Sequence, residues 1–587
     1  LIFEDSFEFR QGIYRFDKDY TSFEFLTNTT NNTWGLGITE DNAIFASTAN
    51  NTHSVFMGVP NQYLRDLEGG RFRGSEKIDG HYAMLPLTPN VRQVDVFGGY
   101  TAAAGHNFYT ARLLPSDYWN KVAFVCEPTG GLVHQAIIEA NGSGYREKDG
   151  GNIFAASDEW VSPVEAKTGP DGAVWVLDWY NFIVQHNPTP TEKWGGFDAE
   201  NGDGNAYVNP LRDKSHGRIW RVVPKNAKSS KMPELKVDDP NGLVAALKND
   251  NMFWRLTAQR LLVESKATEV TESLVALVKD KSTDEMGLAP SALHALWTLD
   301  GLGLIANGNG DAIGAARSAL FHPAPSLRRA AIQILEKVEG ADELIFNSGA
   351  LDDEDPTVQL AAMLFFAGRD TDIELGEKLY QLLQIPAIQE DKWRGYAIYS
   401  AATHHLDGFI DAFLADHPDF DVQGEIQDDQ PLDERFTLAY FSKRTLESST
   451  SFSDLGPATK IVIGTVENEM KYSVTAFEVE AGQSVELVFD NTDFMQHNLL
   501  ILKPGTKEKV GTAADKMASA SDAAERNYTP DMEEILYSIK LLNPEEKYTL
   551  KFIAPQEPGI YPYICTFPGH WRLMQGNMKV VPAKKAL

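Results

Sequence analysis

The chain has 587 residues, more than a single hydrophobic core supports, so we expect several domains. Apolar residues make up 43%, and the sequence contains no run of about eighteen apolar residues that would predict a membrane-spanning helix. With 83 acidic and 53 basic residues the net charge is −30, which argues against a nucleic-acid partner because phosphates would be repelled. The same charge fits either a solvated acidic surface or a surface that docks a basic redox partner.

The two cysteines do not form a disulfide framework and so do not fix the compartment. Cys126 lies in an apolar strand pattern and is expected to be a buried thiol, whereas Cys565 lies in a metal-ligand pattern. The chain begins at Leu1 without a Met or a charged-then-apolar leader, so we expect a processed or incomplete sequence.

Residues 1–226 have the pattern of β-structure, with short apolar runs bounded by Gly, Pro, Asn and Asp. Residues 35–47 and 169–178 are two loose copies of one unit, a polar turn followed by a short apolar strand. Such units joined by Asn-Gly, Asp-Gly and Gly-Gly turns predict the four-stranded blades of a β-propeller that is incomplete at its N-terminus.

Residues 158–160, 169–172, 178–181 and 216–222 form a series that resembles the last blades of membrane-bound or sorbosone-type dehydrogenase propellers. In that family helical HEAT repeats often follow the propeller. The resemblance implies a sugar or alcohol dehydrogenase that uses pyrroloquinoline quinone (PQQ) and Ca²⁺. Candidates by residue type alone are His106, His186, Arg212, His216 and Arg218, for which structural roles are the alternative. The loop at residues 198–205 is rich in oxygen ligands and could hold Ca²⁺ or simply be solvated.

Residues 236–420 are predicted to be helical, with a repeat of about 35 residues. Five segments share a small residue followed by apolar positions at helical spacing, and their matched alanines are Ala258, Ala295, Ala331, Ala362 and Ala397. A repeat of this length, with small residues at helix contacts, predicts a HEAT-like α-solenoid. Residues 421–457, acidic and then rich in Ser and Thr, are expected to be a linker.

Residues 458–583 return to strand patterns, in which Val485, Leu487 and Phe489 alternate with polar residues. An insertion at about residues 504–540 is expected to hold a short helical flap. Near the end of this part, Cys565, His570 and Met574 lie in one loop, and His497 lies 68 residues before Cys565.

One thiolate, two imidazoles and a weak thioether are the ligand set of a blue-copper site. Zinc also accepts Cys and His, but Met574 would be a poor zinc ligand, so copper is favoured. The alternative without a metal is a β-sandwich in which the Cys and Met are core residues. Asn498 and Thr566 follow two of the ligands and are expected to hydrogen-bond across the loop and hold the thiolate.

The pattern of residues 565–574 resembles the copper loop of azurin, and residues 458–583 resemble the azurin and auracyanin group of cupredoxins throughout. The resemblance implies a Greek-key β-sandwich with a type 1 copper held by His497, Cys565, His570 and Met574. This chain has Gln496 where azurin has a Gly that offers a weak carbonyl contact, and it lacks azurin's disulfide.

The family's electron port is an apolar ring around the second His ligand. Here the ring would comprise Phe494, Met495, Phe567, Pro568 and Trp571. The chain is therefore predicted to be an exported, periplasmic or cell-surface electron carrier. Its partner would be a redox protein such as a cytochrome c or another subunit, and any anchor would lie outside this sequence. The alternatives are a scaffold subunit of a large cell-envelope complex, a PQQ dehydrogenase that passes electrons to the copper, and copper storage or delivery.

Overall fold

The computed structural model divides into two compact units, residues 1–67 with 72–420, and residues 421–587 with 68–71. It describes residues 11–17, 21–29, 31–65, 67, 72–91, 93, 98–182, 184, 200–201, 207–208, 213–227, 232–422, 430–431, 433–439, 458–466, 470–493, 495–517, 523, 526–532, 534–544 and 546–582. The predicted linker at 421–457 lies mostly outside these ranges, and the predicted four-part domain division stays a prediction.

The first unit begins with β-structure, as the strand patterns predict. Its described strands are β1 (Gly12–Phe16), β2 (Phe23–Asn28), β3 (Thr33–Ile38), β4 (Ile44–Thr48), β5 (Thr52–Met57), β6 (Ser75–Lys77), β7 (Ala104–Phe108), β8 (Val122–Glu127), β9 (Leu132–Asn141), β10 (Gly144–Ala155), β11 (Pro163–Thr168), β12 (Val174–Asp178), β13 (Glu200–Asn201), β14 (Tyr207–Val208) and β15 (Arg218–Val222).

These strands form antiparallel sheets in which neighbours along the chain mostly pair, with the exception of β12 and β15. Strands β3 to β6 make one four-stranded sheet, β7 to β10 make a second, and β11, β12 and β15 make a third. The two copies of the turn-and-strand unit occupy equivalent hairpins, β3–β4 and β11–β12. Asn42 and Gly172 take the positive φ angles of 67° and 79° that such tight turns need. The propeller itself stays a prediction.

The rest of the first unit is helical. Its described α-helices are α1 (Pro240–Ala246), α2 (Met252–Glu264), α3 (Thr271–Lys279), α4 (Pro290–Gly301), α5 (Gly310–Ala319), α6 (Pro325–Leu335), α7 (Ala341–Asn347), α8 (Pro356–Phe366), α9 (Ile373–Leu383), α10 (Pro386–Gln389), α11 (Lys392–Ala402) and α12 (Leu406–Asp416). Within the ranges that the structure describes, every helix falls short of the length and apolar character needed to cross a bilayer.

The five repeated segments of the sequence occupy one row of helices. They fall in α2, α4, α6, α8 and α11, and each of these helices packs on the next in the row. The five matched alanines are all fully buried, because a small side chain lets neighbouring helices approach closely. Several of these helices begin at an Asp or Asn cap, as at Asp355, whose carboxylate accepts hydrogen bonds from the N–H groups of Thr357 and Val358. The assignment to a HEAT-like solenoid stays a prediction.

Buried ion pairs join the sheets of the first unit to its helices. Glu40 follows β3 and pairs with Arg255 of α2, and both side chains are almost completely buried. Arg112 contacts Glu40 at 2.7 Å and Asp284 at 3.1 Å, so a single charge cluster bridges the β-rich and helical parts. Removing one partner of such a cluster would leave an uncompensated buried charge, which is strongly destabilising.

The second unit contains two sheets. Its described strands are β16 (Thr459–Val466), β17 (Lys471–Tyr472), β18 (Ala476–Glu480), β19 (Ser484–Asp490), β20 (His497–Leu502), β21 (Ile535–Leu542), β22 (Lys547–Ile553), β23 (Gly559–Ile564) and β24 (Gln575–Val581). One sheet has the order β17-β16-β19-β22 and the other β18-β24-β23-β20-β21. Two pairs are parallel, β16 with β19 and β18 with β24.

The core of the second unit lies between its two sheets. Val485, Leu487 and Phe489 of β19 are buried as the alternation predicts, and they share one apolar cluster with Leu499 and Ile501 of β20. The other face of β20 is buried as well, because helix α13 (Lys507–Met517) covers it. The predicted helical flap is therefore confirmed, although β21 begins at Ile535, before the expected end of the insertion.

Candidate metal centre

Strand ends of one sheet bring the predicted copper ligands together. His497 opens β20, Cys565 directly follows β23, and Met574 directly precedes β24. Strand β23 pairs with both β20 and β24, so these residues meet at the same edge of the sheet. His570 lies in the loop between Cys565 and Met574.

Backbone hydrogen bonds fix the shape of the loop. The N–H of Cys565 donates to the carbonyl of Met574 at 3.0 Å, and the N–H of Met574 donates to the carbonyl of His570 at 2.8 Å. A further turn is closed by the N–H of His570, which donates to the carbonyl of Phe567 at 3.0 Å. Gly569 takes a φ of +82° at this turn, a conformation that a side chain would strain.

Three donor atoms converge inside the loop. Cys565 Sγ lies 3.8 Å from His497 Nδ1 and 3.7 Å from His570 Nδ1, and the two Nδ1 atoms are 3.2 Å apart. Atoms bound to one metal ion at about 2.0 Å for nitrogen and about 2.3 Å for sulfur lie roughly 3.3–3.8 Å from one another. The separations therefore fit a common metal ion.

The donor set is shielded from water. Cys565, His497 and Met574 are fully buried, and His570 is 3% exposed. Burial lowers the pKa of both imidazoles, that of His570 to about 4, so their nitrogens stay neutral and able to bind a metal. Without a metal, burial raises the pKa of the Cys565 thiol to about 12, although the backbone N–H groups of Asn498 and Phe567 oppose that shift. A cation in the site would stabilise the thiolate.

Asp493 is a functional residue that the sequence analysis missed. Its buried carboxylate Oδ2 lies 3.0 Å from His497 Nε2. The Nε2–H group therefore donates to Asp493, and Nδ1 keeps its lone pair for the metal. In the sequence, the contact is indicated only by the separation of four residues between Asp493 and His497. That separation does not predict a contact unless the turn between the two residues is known.

Asn498 and Thr566 make the predicted contact across the loop. The N–H of Thr566 donates to Asn498 Oδ1 at 2.7 Å, and Asn498 Nδ2 donates to Thr566 Oγ1 at 2.8 Å. This reciprocal pair links the start of β20 to the end of β23. Beside it, the Gln496 side chain donates to Asn543 Oδ1 at 2.9 Å. A weak contact from the Gln496 carbonyl to the metal stays a prediction.

The predicted apolar ring needs one correction. Trp571 is only 4% exposed, because it packs against Gly511 of α13 and its indole N–H donates to Asp515 at 3.0 Å. It therefore belongs to the interior and not to an exposed port. Pro568 is exposed, Phe567 and Met495 are half-buried, and the Phe567 ring lies 4.9 Å from that of His570. Phe494 lies outside the described residues.

Leu573 supplies an exposed apolar side chain that the sequence analysis did not name. It is 59% exposed and lies between the two loop ligands His570 and Met574. The backbone N–H of Leu573 donates to the carbonyl of His570 at 2.9 Å, which ties the residue to the ligand loop.

The dehydrogenase candidates in the first unit have structural partners of their own. His106 is fully buried, stacks on Phe45 and lies 2.5 Å from Ser54 Oγ, and burial lowers its pKa to about 4. His216 pairs with Asp213 at 2.8 Å. Arg218 pairs with Asp178 and Asp158. These contacts give no support to a quinone site.

The remaining candidates of that kind fall outside the described residues. They are His186 and Arg212. The oxygen-rich loop at residues 198–205 is described only for the backbone of residues 200 and 201, so the Ca²⁺ site remains a sequence prediction. Cys126, by contrast, is a fully buried free thiol in β8, as expected.

Comparison with known proteins assigns two regions of the chain. Residues 459–581 match a family model described as copper binding proteins of the plastocyanin/azurin family. Residues 3–226 match a model described as a domain of unknown function, DUF7133.

Two similar proteins are auracyanins of Chloroflexus aurantiacus. Auracyanin-A is 40% identical over 130 residues, covering 22% of this chain and 77% of the relative. Auracyanin-B is 31% identical over 131 residues and is matched over 54% of its length. A solved structure of auracyanin A, titled a "blue" copper protein, is 37% identical, with 21% of this chain and 100% of that chain covered and a TM-score of 0.20.

Proposed function

We propose a blue-copper electron-transfer function on one premise: through residues 459–581, this chain belongs to the plastocyanin/azurin family of copper binding proteins. The observation that carries the proposal is the convergence of Cys565 Sγ with the Nδ1 atoms of His497 and His570, at 3.2–3.8 Å from one another. We assign these three atoms and the thioether of Met574 as the ligands.

The chemistry of the donor set fits copper. A thiolate, two imidazoles and a weak thioether favour copper, whereas structural zinc sites are completed by a fourth Cys, His or carboxylate. Met574 is fully buried in the same apolar cluster as Cys565, so we assign its sulfur as the fourth donor. When bound, copper supplies a one-electron couple between Cu(I) and Cu(II).

The protein itself fixes the orientation of these ligands and excludes water from them. Asp493 fixes the tautomer of His497, and the Asn498–Thr566 pair fixes the strand end that presents Cys565. A ligand set held in this way has little to rearrange when its charge changes, which suits rapid electron exchange.

We infer that electrons leave and enter beside His570. The apolar residues there are Pro568 and Leu573, which are exposed, with Phe567 and Met495 half-buried. Small apolar patches of this kind suit weak, short-lived redox encounters. The partner would be a cytochrome c or another subunit of an assembly, and the net charge of −30 favours a basic partner. We also propose that the protein is exported, as its redox partner would be.

Copper reconstitution of the full chain tests the proposal. As copper is added, we expect an intense visible absorption from the thiolate-to-copper transition in the oxidised form that saturates at one equivalent, and its reversible loss on one-electron reduction. Stoichiometric copper without the visible band would place the metal elsewhere and contradict the assignment.

A scaffold role is the second candidate for the first unit. It is favoured over a PQQ dehydrogenase because His106, His216 and Arg218 are held by structural partners. A dye-coupled oxidation assay with sugars and alcohols, with and without added PQQ and Ca²⁺, separates the two. Cofactor-dependent turnover would reject the scaffold role without touching the copper assignment.

A further inference from the structure

A second group of metal-binding side chains lies in the first unit, among residues that match the family of unknown function. It consists of His53 on β5, His81 in the segment after β6, His134 on β9 and Glu147 on β10. We call these four side chains the imidazole–carboxylate cluster. One donor atom from each lies within 4.8 Å of the donor atoms of all the others.

The separations in the cluster match those of ligands around one ion. His81 Nε2 and His134 Nε2 are 3.3 Å apart, and they lie 3.6 Å and 3.3 Å from Glu147 Oε1. His53 Nε2 lies 3.5 Å from Glu147 Oε2. Donor atoms bound at 2.0–2.1 Å in a tetrahedral site are about 3.4 Å apart.

Second contacts of His53 and His81 turn their Nε2 atoms toward a common centre. His53 Nδ1 lies 3.2 Å from Asp79 Oδ2, and His81 Nδ1 lies 3.0 Å from the carbonyl oxygen of Ala83. Because a carbonyl can only accept, the Nδ1 of His81 carries the hydrogen and its Nε2 is a lone pair in the neutral ring. His134 Nδ1 faces Asp149 Oδ1 at 3.8 Å. Oxygen partners behind metal-binding imidazoles fix their orientation in the same way.

One buried nitrogen of the cluster lacks a hydrogen-bond partner. His53 Nε2 is buried and makes no hydrogen bond. Without a metal, a hydrogen on His134 Nε2 has two acceptors to serve, Glu147 Oε1 at 3.3 Å and His81 Nε2 at 3.3 Å. A metal ion accepts all four electron-pair donors at once, whereas a proton can be shared by only two of them.

An ion can reach the cluster from the surface. His53, His134 and Glu147 are buried, but the His81 side chain is 17% exposed. A surface depression of about 640 Å³ is lined in part by Gly80, Glu147 and Asp149. The ring of Tyr100, which is fully buried, lies 4.4 Å from that of His53.

We propose that the imidazole–carboxylate cluster binds a divalent first-row transition-metal ion through three imidazole Nε2 atoms and one carboxylate oxygen. Imidazole suits zinc, copper, iron and nickel, and the absence of sulfur among the cluster's four donors separates this site from the thiolate site of the second unit. The proposal does not rest on the proposed copper function.

Zinc titration of the full chain, loaded beforehand with a single equivalent of copper whose visible band shows that it occupies the thiolate site, tests the proposal. We expect one Zn²⁺ per chain in addition to copper, counted by elemental analysis after gel filtration. His81→Ala, which changes the most exposed ligand, should weaken Zn²⁺ binding at least tenfold, and so should Glu147→Gln. His216→Ala removes an exposed histidine outside the cluster and should bind like the wild type.

The wild-type protein also provides a test that does not depend on folding of the variants. X-ray absorption at the zinc edge should show only nitrogen and oxygen neighbours, and the visible copper band should be unchanged by zinc. Failure to bind zinc, sulfur in the zinc shell, or equal affinity in folded His81→Ala would each overturn the proposal. Cys565→Ser should lose the copper band and keep the zinc site, so the two proposals fail separately.

Discussion

In the second unit, three of the four proposed copper ligands lie within the ten residues from Cys565 to Met574, whereas the imidazole–carboxylate cluster draws its side chains from residues 53, 81, 134 and 147. The first site is therefore held by a loop with its own hydrogen bonds. The second is held by strands of two different sheets and by a segment between strands, so it depends on the fold of the whole region. We expect changes at the loop to alter chemistry with little effect on folding, and changes beneath the cluster to alter both.

Cys565→Ser is the most severe test of the loop site. Without the thiolate the visible band should vanish completely, because the transition that produces it involves the sulfur orbital. Circular dichroism should remain that of the wild type. Retention of both the colour and the copper content would show that the ligand assignment is wrong.

Asp493→Asn tests the residue that orients His497. Loss of the charged acceptor should weaken copper binding by about 10–100-fold, the range seen for outer partners of metal ligands. Copper competition with a chelator measures the effect. The matched control is Asp490→Asn, which loses an ion pair with Lys547 and leaves the ligands alone. An equal loss of copper affinity in the two variants would show that Asp493 has no particular role in copper binding.

The contrast between these sites also explains what the sequence could reveal. The metal-binding role of Cys565, His570 and Met574 could be predicted because one loop carries all three. Residue types at such short spacing indicate the chemistry directly. Asp493 was missed because its role depends on the turn that brings it back to His497. The cluster was missed because His53, His81 and His134 follow no motif. They lie on two different sheets and on a segment between strands, so they meet only in the folded unit.

The same distinction applies to the fold. Alternation in β19 and the repeated alanines of the helical part are local patterns, and the structure buries those residues as expected. Trp571 was expected at the surface because the family resemblance implies an exposed apolar ring around His570. Its burial depends on helix α13, which lies more than fifty residues earlier in the chain.

Gly511→Ala probes the packing between the ligand loop and α13. A Cβ at this position would lie 2.3 Å from the Trp571 ring, and overpacking of this kind costs about 1–3 kcal/mol. At Gly314 in α5 a Cβ meets open space, so Gly314→Ala should stabilise by up to about 1 kcal/mol. Thermal unfolding of both variants measures the difference in sign, and stabilisation by Gly511→Ala would contradict the packing described.

His294 is a buried histidine that belongs to neither proposed metal site, so it serves as a comparison for the histidines that do. Its Nδ1 donates to Gln259 Oε1 at 2.7 Å, and burial, with a smaller effect of the Arg255 charge, lowers the pKa of His294 to about 3. The unfolded chain therefore binds more protons than the folded chain between pH 6.5 and 3, and folding stability falls as the pH falls through that window.

When the pH falls from 8 to 6, this single group should lower the free energy of unfolding by about 1 kcal/mol. Hydrogen exchange in α4 at the two pH values, compared with His294→Gln, isolates the contribution. An identical pH dependence in the two proteins would show that His294 is not neutral in the fold. Neither protein should gain a metal site from this residue.

The burial of Trp571 under α13 has a consequence for engineering by loop exchange. Residues 565–574 look like a transferable segment, because three of the four proposed ligands and the turn are contained in them. Yet Trp571 is seated against Gly511 and tied to Asp515, and Arg572 also pairs with Asp515 at 2.6 Å. In a recipient domain without an equivalent helix, the large indole of Trp571 would have nothing to pack against. The transferable module is therefore the loop together with its helix.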